Sequence, residues 1–146
     1  MNKFLSLSLL LLSLLFLSAG LKAEQKHTKG NWDIHYIAFP SSFIQPQVAK
    51  NYKLQRSKYK AVVNISVLDN QNKMEAQNAF VTGTARTLLG QIVKLKFVKV
   101  KEGPAIYYLA QLDYVDQEIY NFDVQVQQGN RTEQIKFQQK FYVDQQ

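Results

Sequence analysis

From about residue 31 onward, apolar side chains recur at every second position, and turn residues interrupt the alternation at short intervals. A period of two belongs to β-strands, whose successive side chains point to opposite faces. Several short alternating runs joined by turns predict an all-β, antiparallel sandwich of about seven strands. A sandwich is preferred to a small barrel, because a barrel needs nearly every strand to close. The chain has no cysteine, so packing alone must hold the two sheets together. The same absence excludes thiol nucleophiles, thiolate metal sites and lipid attachment through sulfur.

The expected strands run as follows. The first, near Asn31 to Phe39, carries Trp32, Ile34, Tyr36 and Ala38 on one face and ends at Pro40. Pro46 suits the first turn of a helix, so Pro46 to Tyr52 is expected to be helical, with Val48, Ala49 and Tyr52 folded over an end of the sheet. Lys60 to Leu68 and Glu75 to Arg86 are the second and third strands, with Gly83 marking a bulge or a close contact. In the fourth, Gln91 to Lys101, the alternation slips at Phe97–Val98. A β-bulge there turns all five apolar residues inward and Lys94, Lys96, Lys99 and Lys101 outward. The competing reading is an unbulged strand with the lysines split between its faces; the bulge is favoured because it keeps four ammonium groups out of the interior. Strand five, Ala105 to Tyr114, is apolar on both faces and should be central. Glu118 to Gln127 and Thr132 to Val143 complete the set, joined by a hairpin turn at Gln128-Gly129-Asn130.

Residues 1–23 have the three-part order of a cleavable signal peptide: a short basic start, an apolar run from Phe4 to Leu17, then small residues. That run of 14 residues, interrupted only by serines, reaches only about 21 Å as a helix, shorter than the roughly 20 residues a spanning helix needs. Cleavage is expected after Ala23, with Gly20 as the alternative, and residues 24–30 are expected to form a flexible tail ahead of a β-sandwich domain over 31–144. No later segment is long and apolar enough to span a membrane. Export places the mature protein in a compartment with little nucleic acid. Its 16 basic and 11 acidic side chains, net +5, then point to an envelope protein or an anionic envelope component as partner, or to solubility alone.

Several residue groups carry possible chemistry. Asp33 and His35 share a face at i, i+2, the arrangement in which a carboxylate orients an imidazole. Arg56-Ser57-Lys58 offers donors for an anion, or else Arg56 satisfies loop carbonyls or pairs with Asp33. Ser57-Lys58-Tyr59-Lys60 matches a serine acyl-enzyme pattern, but it leads into a strand and lacks that chemistry's companion motifs. Asp113, Asp116 and Glu118 gather at one turn without the glycine-centred calcium loop. No phosphate loop, dinucleotide fingerprint or diagnostic ligand spacing is present, so the sequence calls for no cofactor and no metal. The contact residues expected for a partner or anion are therefore His35, Arg56, Ser57, Lys58 and the four lysines Lys94, Lys96, Lys99 and Lys101.

The run Phe43-Ile44-Gln45-Pro46-Gln47-Val48-Ala49, then Tyr52, Arg56-Ser57-Lys58 and Asn64-Ile65-Ser66-Val67-Leu68, resembles a family of small exported gammaproteobacterial proteins known as domain of unknown function 4426. His35-Tyr36, Ala38-Phe39, Gly90-Gln91, Ala105-Ile106-Tyr107-Tyr108 and Phe141-Tyr142 extend the likeness over the whole mature chain. The resemblance implies a periplasmic, immunoglobulin-like β-sandwich and supplies no catalytic residues. Three functions stay open: a non-enzymatic binding module, a small enzyme using His35 and Asp33 with Arg56-Ser57-Lys58, and a carrier enclosing a small apolar ligand.

Overall fold

The structure, a computed structural model, describes residues 25–143. Its ten strands are β1 Gln25–Lys29, β2 Trp32–Pro40, β3 Lys60–Asp69, β4 Glu75–Ala76, β5 Phe80–Thr87, β6 Ile92–Leu95, β7 Val98–Glu102, β8 Ala105–Asp113, β9 Ile119–Gln128 and β10 Arg131–Lys140. All pair antiparallel, in one sheet ordered β1-β2-β3-β8-β7 with β4 on β3, and a second ordered β10-β9-β5-β6. The inward faces meet in one core of Trp32, Ile34, Val63, Ile65, Tyr108, Phe122, Val124 and their neighbours. The β-sandwich read from the alternation is therefore the fold.

Aromatic side chains take the place of a covalent staple. Tyr36 of the first sheet meets Phe137 of the second with ring centroids 4.7 Å apart, and Phe137 stacks on Phe122 at the same distance. Beyond the strand ends, Tyr114 stacks on Phe141 at 4.9 Å. At the opposite end, the Arg131 guanidinium lies 3.7 Å from the Trp32 ring centre and donates to Asn31 Oδ1 and the Lys29 carbonyl, each at 2.7 Å. One side chain of β10 thus grips the β1–β2 hairpin of the other sheet.

Three sequence expectations change here. Residues 25–29, expected in a flexible tail, form edge strand β1, with Gln25 opposite Tyr36 and Lys29 opposite Trp32. A turn through Gly30, at φ +55°, folds them back, and Arg131 holds the turn. The segment read as one strand over 75–86 is two, because the chain passes from the first sheet to the second at residues 77–79. There the Tyr108 hydroxyl accepts from Ala79 N at 2.7 Å and donates to the Gln77 carbonyl at 3.2 Å, satisfying the backbone of the crossing. Likewise the slip at Phe97–Val98 is neither a bulge nor a continuous strand. β6 belongs to the second sheet and β7 to the first, and Lys96-Phe97 carries the chain between them.

Other expectations hold. β8 lies between β3 and β7, as its two apolar faces required. Gly83 marks a close approach: a Cβ there would stand 2.8 Å from the Asp123 carbonyl oxygen. Gly129, at φ +57°, turns the chain between Gln128 and Arg131. The short helix α1, Pro46–Asn51, starts with its proline in the first turn. It lies over the outer face of the first sheet rather than over its end, as the next section describes. The leader expected over residues 1–23 lies outside the described residues.

Candidate functional site

β2, β3, β8 and β7 lie side by side, and register decides which side chains look outward. Phe39 stands opposite Val62, Asn64 opposite Leu109, and Leu109 opposite Val98; Tyr107 faces Val100. This stretch of the outer face is therefore largely apolar, whereas Asp33, His35 and Ser66 make the same face polar further along. The segment from Ser41 to Ser57 covers part of it. Ser41, fully buried, accepts from Ser57 N at 2.9 Å through its hydroxyl and donates to the Ser57 carbonyl at 3.0 Å, closing the segment into a loop.

Cover and sheet leave between them an open cleft of about 330 Å³. Ile44, Val48, Tyr52 and Leu54 form one wall; Phe39, Val62, Tyr107 and Leu109 form the floor. Two polar groups enter it. The Tyr52 hydroxyl donates to Glu102 Oε2, a latch from the covering segment to the last residue of β7. Asn64 Oδ1 is buried in the floor without a hydrogen-bond partner. An unmet buried acceptor costs about 1–3 kcal/mol, which a donor on a ligand would recover. The cleft can thus take an apolar group carrying one N–H or O–H. It opens beside β7, which pairs only with β8 among the described strands and is the edge of its sheet.

The residues singled out from the sequence are not brought together. Asp33 accepts from Thr28 Oγ1 at 2.8 Å and from Asn70 Nδ2 at 3.0 Å, with Lys26 Nζ at 3.6 Å. The Asn70 and Thr28 hydrogen bonds, helped by Lys26 and His35, hold its carboxyl below the ordinary 3.8 against the opposing effect of burial. It fastens β1 and the turn after β3 onto β2. His35, on the same face, has Lys26 and Ser66 as cross-strand neighbours. Arg56 belongs to the other end of β2: Nε donates to the Ile44 carbonyl at 2.7 Å and Nη2 to the Ser42 carbonyl at 3.2 Å. His35 precedes Pro40 by five residues of strand, roughly 16 Å at the usual rise. The Arg56-Ser57-Lys58 segment therefore braces the covering loop, and an active site joining it to His35 is not formed. Ser57 Oγ accepts from Tyr59 N at 3.1 Å.

The four lysines are exposed but do not share one face. Lys94 lies on β6 of the second sheet and Lys96 just after it, whereas Lys99 and Lys101 lie on β7 in the first. Both are edge strands, where lysines oppose uncontrolled pairing with other chains. Asp113 pairs with Lys60 at 2.7 Å, Asp116 accepts from Val143 N at 2.8 Å, and Glu118 from the Tyr120 hydroxyl at 3.4 Å. Among the described residues no three His, Cys, Asp or Glu side chains gather as metal ligands. Between the sheets the described core residues pack into one continuous cluster.

The model of domain of unknown function DUF4426 matches residues 26–144. The chain belongs to the DUF4426 family. A crystal structure of another family member, from Pseudomonas aeruginosa PAO1, is 35% identical and superposes with a TM-score of 0.75, covering 86% of this chain and 99% of that one. Two structures of FetP from uropathogenic Escherichia coli strain F11 share the fold at 11% identity and a TM-score of 0.58. One is a copper-bound variant covering 85% of this chain and 93% of its own; the other, expressed in the periplasm, covers 86% and 100%. Comparison with curated proteins gives no significant match. Among the described residues no helix is long and apolar enough to cross a membrane.

The cleft was only partly visible in the sequence. The two-faced apolar pattern of Ala105 to Tyr114 and the apolar side of Pro46 to Tyr52 were its signals. What sequence could not show is that these two face each other, or that Asn64 sits unmet between them.

Proposed function

We propose that this DUF4426 protein is a periplasmic, non-enzymatic binding module of the cell envelope, and that it recognises an extended apolar segment of an envelope protein. The observation that carries the reading is the continuity of the cleft with the open edge of β7, through Glu102. A segment that adds to β7 gains main-chain hydrogen bonds along the edge. Its alternate side chains fall on the outer face beside Val98 and Val100, and one can enter the cleft toward Asn64 Oδ1. Lys99 and Lys101, on the other face of β7, favour a partner with acidic groups there. The leader-like residues 1–23 and the expression of a fold relative in the periplasm support the location. The copper of the FetP variant is not carried over, since nothing in the cleft resembles a set of metal ligands.

The test uses a variant that fills the cleft. Val48 lies on the covering helix and is 38% exposed, so Val48→Trp leaves the sandwich core untouched. Immobilised protein should retain a defined envelope protein from extracts at low salt, and V48W should not. Equal retention by both, or retention of nothing, refutes the reading.

A further inference from the structure

One end of the sandwich carries a second exposed apolar surface. β5 finishes there at Thr87, opposite Tyr120, and the chain turns through Leu88 and Leu89 into β6. Leu88 is 66% exposed and Leu89 91%. This turn is rigidly built. Thr87, buried, donates its N–H to the Gln91 carbonyl at 2.9 Å; Gly90 N donates to the Thr87 carbonyl at 3.0 Å and Gln91 N to Thr87 Oγ1 at 3.1 Å.

The same end carries two lysine–tyrosine pairs. Lys58 Nζ lies 5.9 Å from the ring centre of Tyr59, and Lys140 Nζ 5.4 Å from that of Tyr142, with both tyrosine residues 54% exposed. The Tyr114 hydroxyl contacts the carbonyl oxygens of Lys58 and Tyr142, so the two pairs sit on one platform. Val115, 63% exposed, belongs to the same platform through its N–H to the Tyr120 hydroxyl at 3.3 Å. The acids of this end, Asp113, Asp116 and Glu118, already accept from Lys60, Val143 N and Tyr120.

An exposed aliphatic turn with tyrosines and lysines at the same end of the sandwich matches the layers of a bilayer surface. Aliphatic side chains reach the acyl boundary, tyrosine rings settle at headgroup depth, and ammonium groups meet phosphates. With Lys58 and Lys140 at the same end as the exposed Leu88 and Leu89, a flat anionic surface fits this end better than a concave neutral one. We propose that this end docks peripherally on an anionic lipid bilayer, with Leu88 and Leu89 inserted and Lys58 and Lys140 on the headgroups. The proposal shares with the preceding one only the export of the protein; it does not use the cleft.

Protein recovered from the periplasm is sedimented with vesicles of phosphatidylethanolamine and phosphatidylglycerol, and with phosphatidylcholine vesicles as the neutral arm. Binding to the anionic vesicles is expected, weakening between about 0.05 M and about 0.5 M salt. The Leu88→Ser/Leu89→Ser double variant should bind about tenfold less tightly or worse. Lys58→Gln/Lys140→Gln should lose the preference for the anionic vesicles. Far-ultraviolet circular dichroism of each variant checks that the fold is kept. V48W should bind vesicles like the parent, which separates this surface from the cleft. No binding, equal binding to both vesicle types, or binding that survives the double leucine substitution overturns the proposal; the last outcome assigns the membrane to another segment.

Discussion

Arg131 is the point at which the uncrosslinked sandwich should be most sensitive to one side chain. Its guanidinium makes two hydrogen bonds of 2.7 Å to the β1–β2 hairpin, one of 3.4 Å to Glu133, and lies over Trp32. The side chain is 30% exposed, so each short hydrogen bond is taken as about 1 kcal/mol, below the range for fully buried charged donors. The stacked cation over a buried ring adds about 1 kcal/mol. Arg131→Lys keeps the charge but loses the planar fork, and should cost about 2 kcal/mol; Arg131→Ala should cost about 3 kcal/mol. Trp32 is the single tryptophan of the chain and lies under the guanidinium, so its fluorescence reports both global unfolding and this contact. Urea titration should show the midpoint falling while the slope stays constant. Hydrogen exchange should accelerate in Gln25–Lys29 more than in β9. An R131K midpoint equal to that of the parent, or exchange that rises equally in every strand, would refute the view that Arg131 clasps the two sheets.

Other outcomes follow from local geometry. Gly83→Ala forces a Cβ to 2.8 Å from the Asp123 carbonyl oxygen, and should destabilise by about 2 kcal/mol in the same titration; an unchanged midpoint would mean that β5 and β9 shift freely. Lys73 and Met74 hold φ of 52° and 55° in a turn closed by Glu75 N to the Asn72 carbonyl at 3.0 Å. Lys73→Asn/Met74→Gly should therefore stabilise by about 1 kcal/mol after the added freedom of glycine in the unfolded chain is counted. Destabilisation would show that Met74 packs more than its exposure implies. The Asp33 carboxyl is held below its ordinary 3.8 in the folded protein. Its contribution is thus complete above that value and fades as pH falls through the lower folded value. Asp33→Asn should flatten the acid limb of stability against pH, and an unaltered limb would show that other carboxyls govern it.

The sandwich was legible because a buried face imposes alternation on every strand it contains. β9, with one face in the core along most of its length, falls within one residue of the expected strand at each end, whereas β10 ends three residues before the expected Val143. β1 was missed because Gln25-Lys26-His27-Thr28-Lys29 lies at an edge and carries no apolar face to announce it. The two passages between sheets failed for a different reason. A slip such as Phe97–Val98 changes the phase of alternation, and a bulge and a change of sheet do that equally well. Only the partners of β6 and β7 distinguish them, and partners are set by distant residues such as Tyr107 and Thr84. Of the candidate chemistry, the sequence correctly put Asp33 and His35 on one face. Arg56 was legible as a brace for loop carbonyls as readily as an anion ligand, and the structure selects the brace. The cleft depends on α1 and β8 lining it from opposite sides, which no local pattern encodes.

The most direct test of the binding reading is hydrogen exchange along β7 with and without envelope extract at low salt. Addition of a partner strand to this edge predicts slower exchange in Val98–Glu102 of the parent and no slowing in V48W. Exchange in β7 that ignores the extract, or slowing confined to Leu88 and Leu89 and their neighbours, would contradict it.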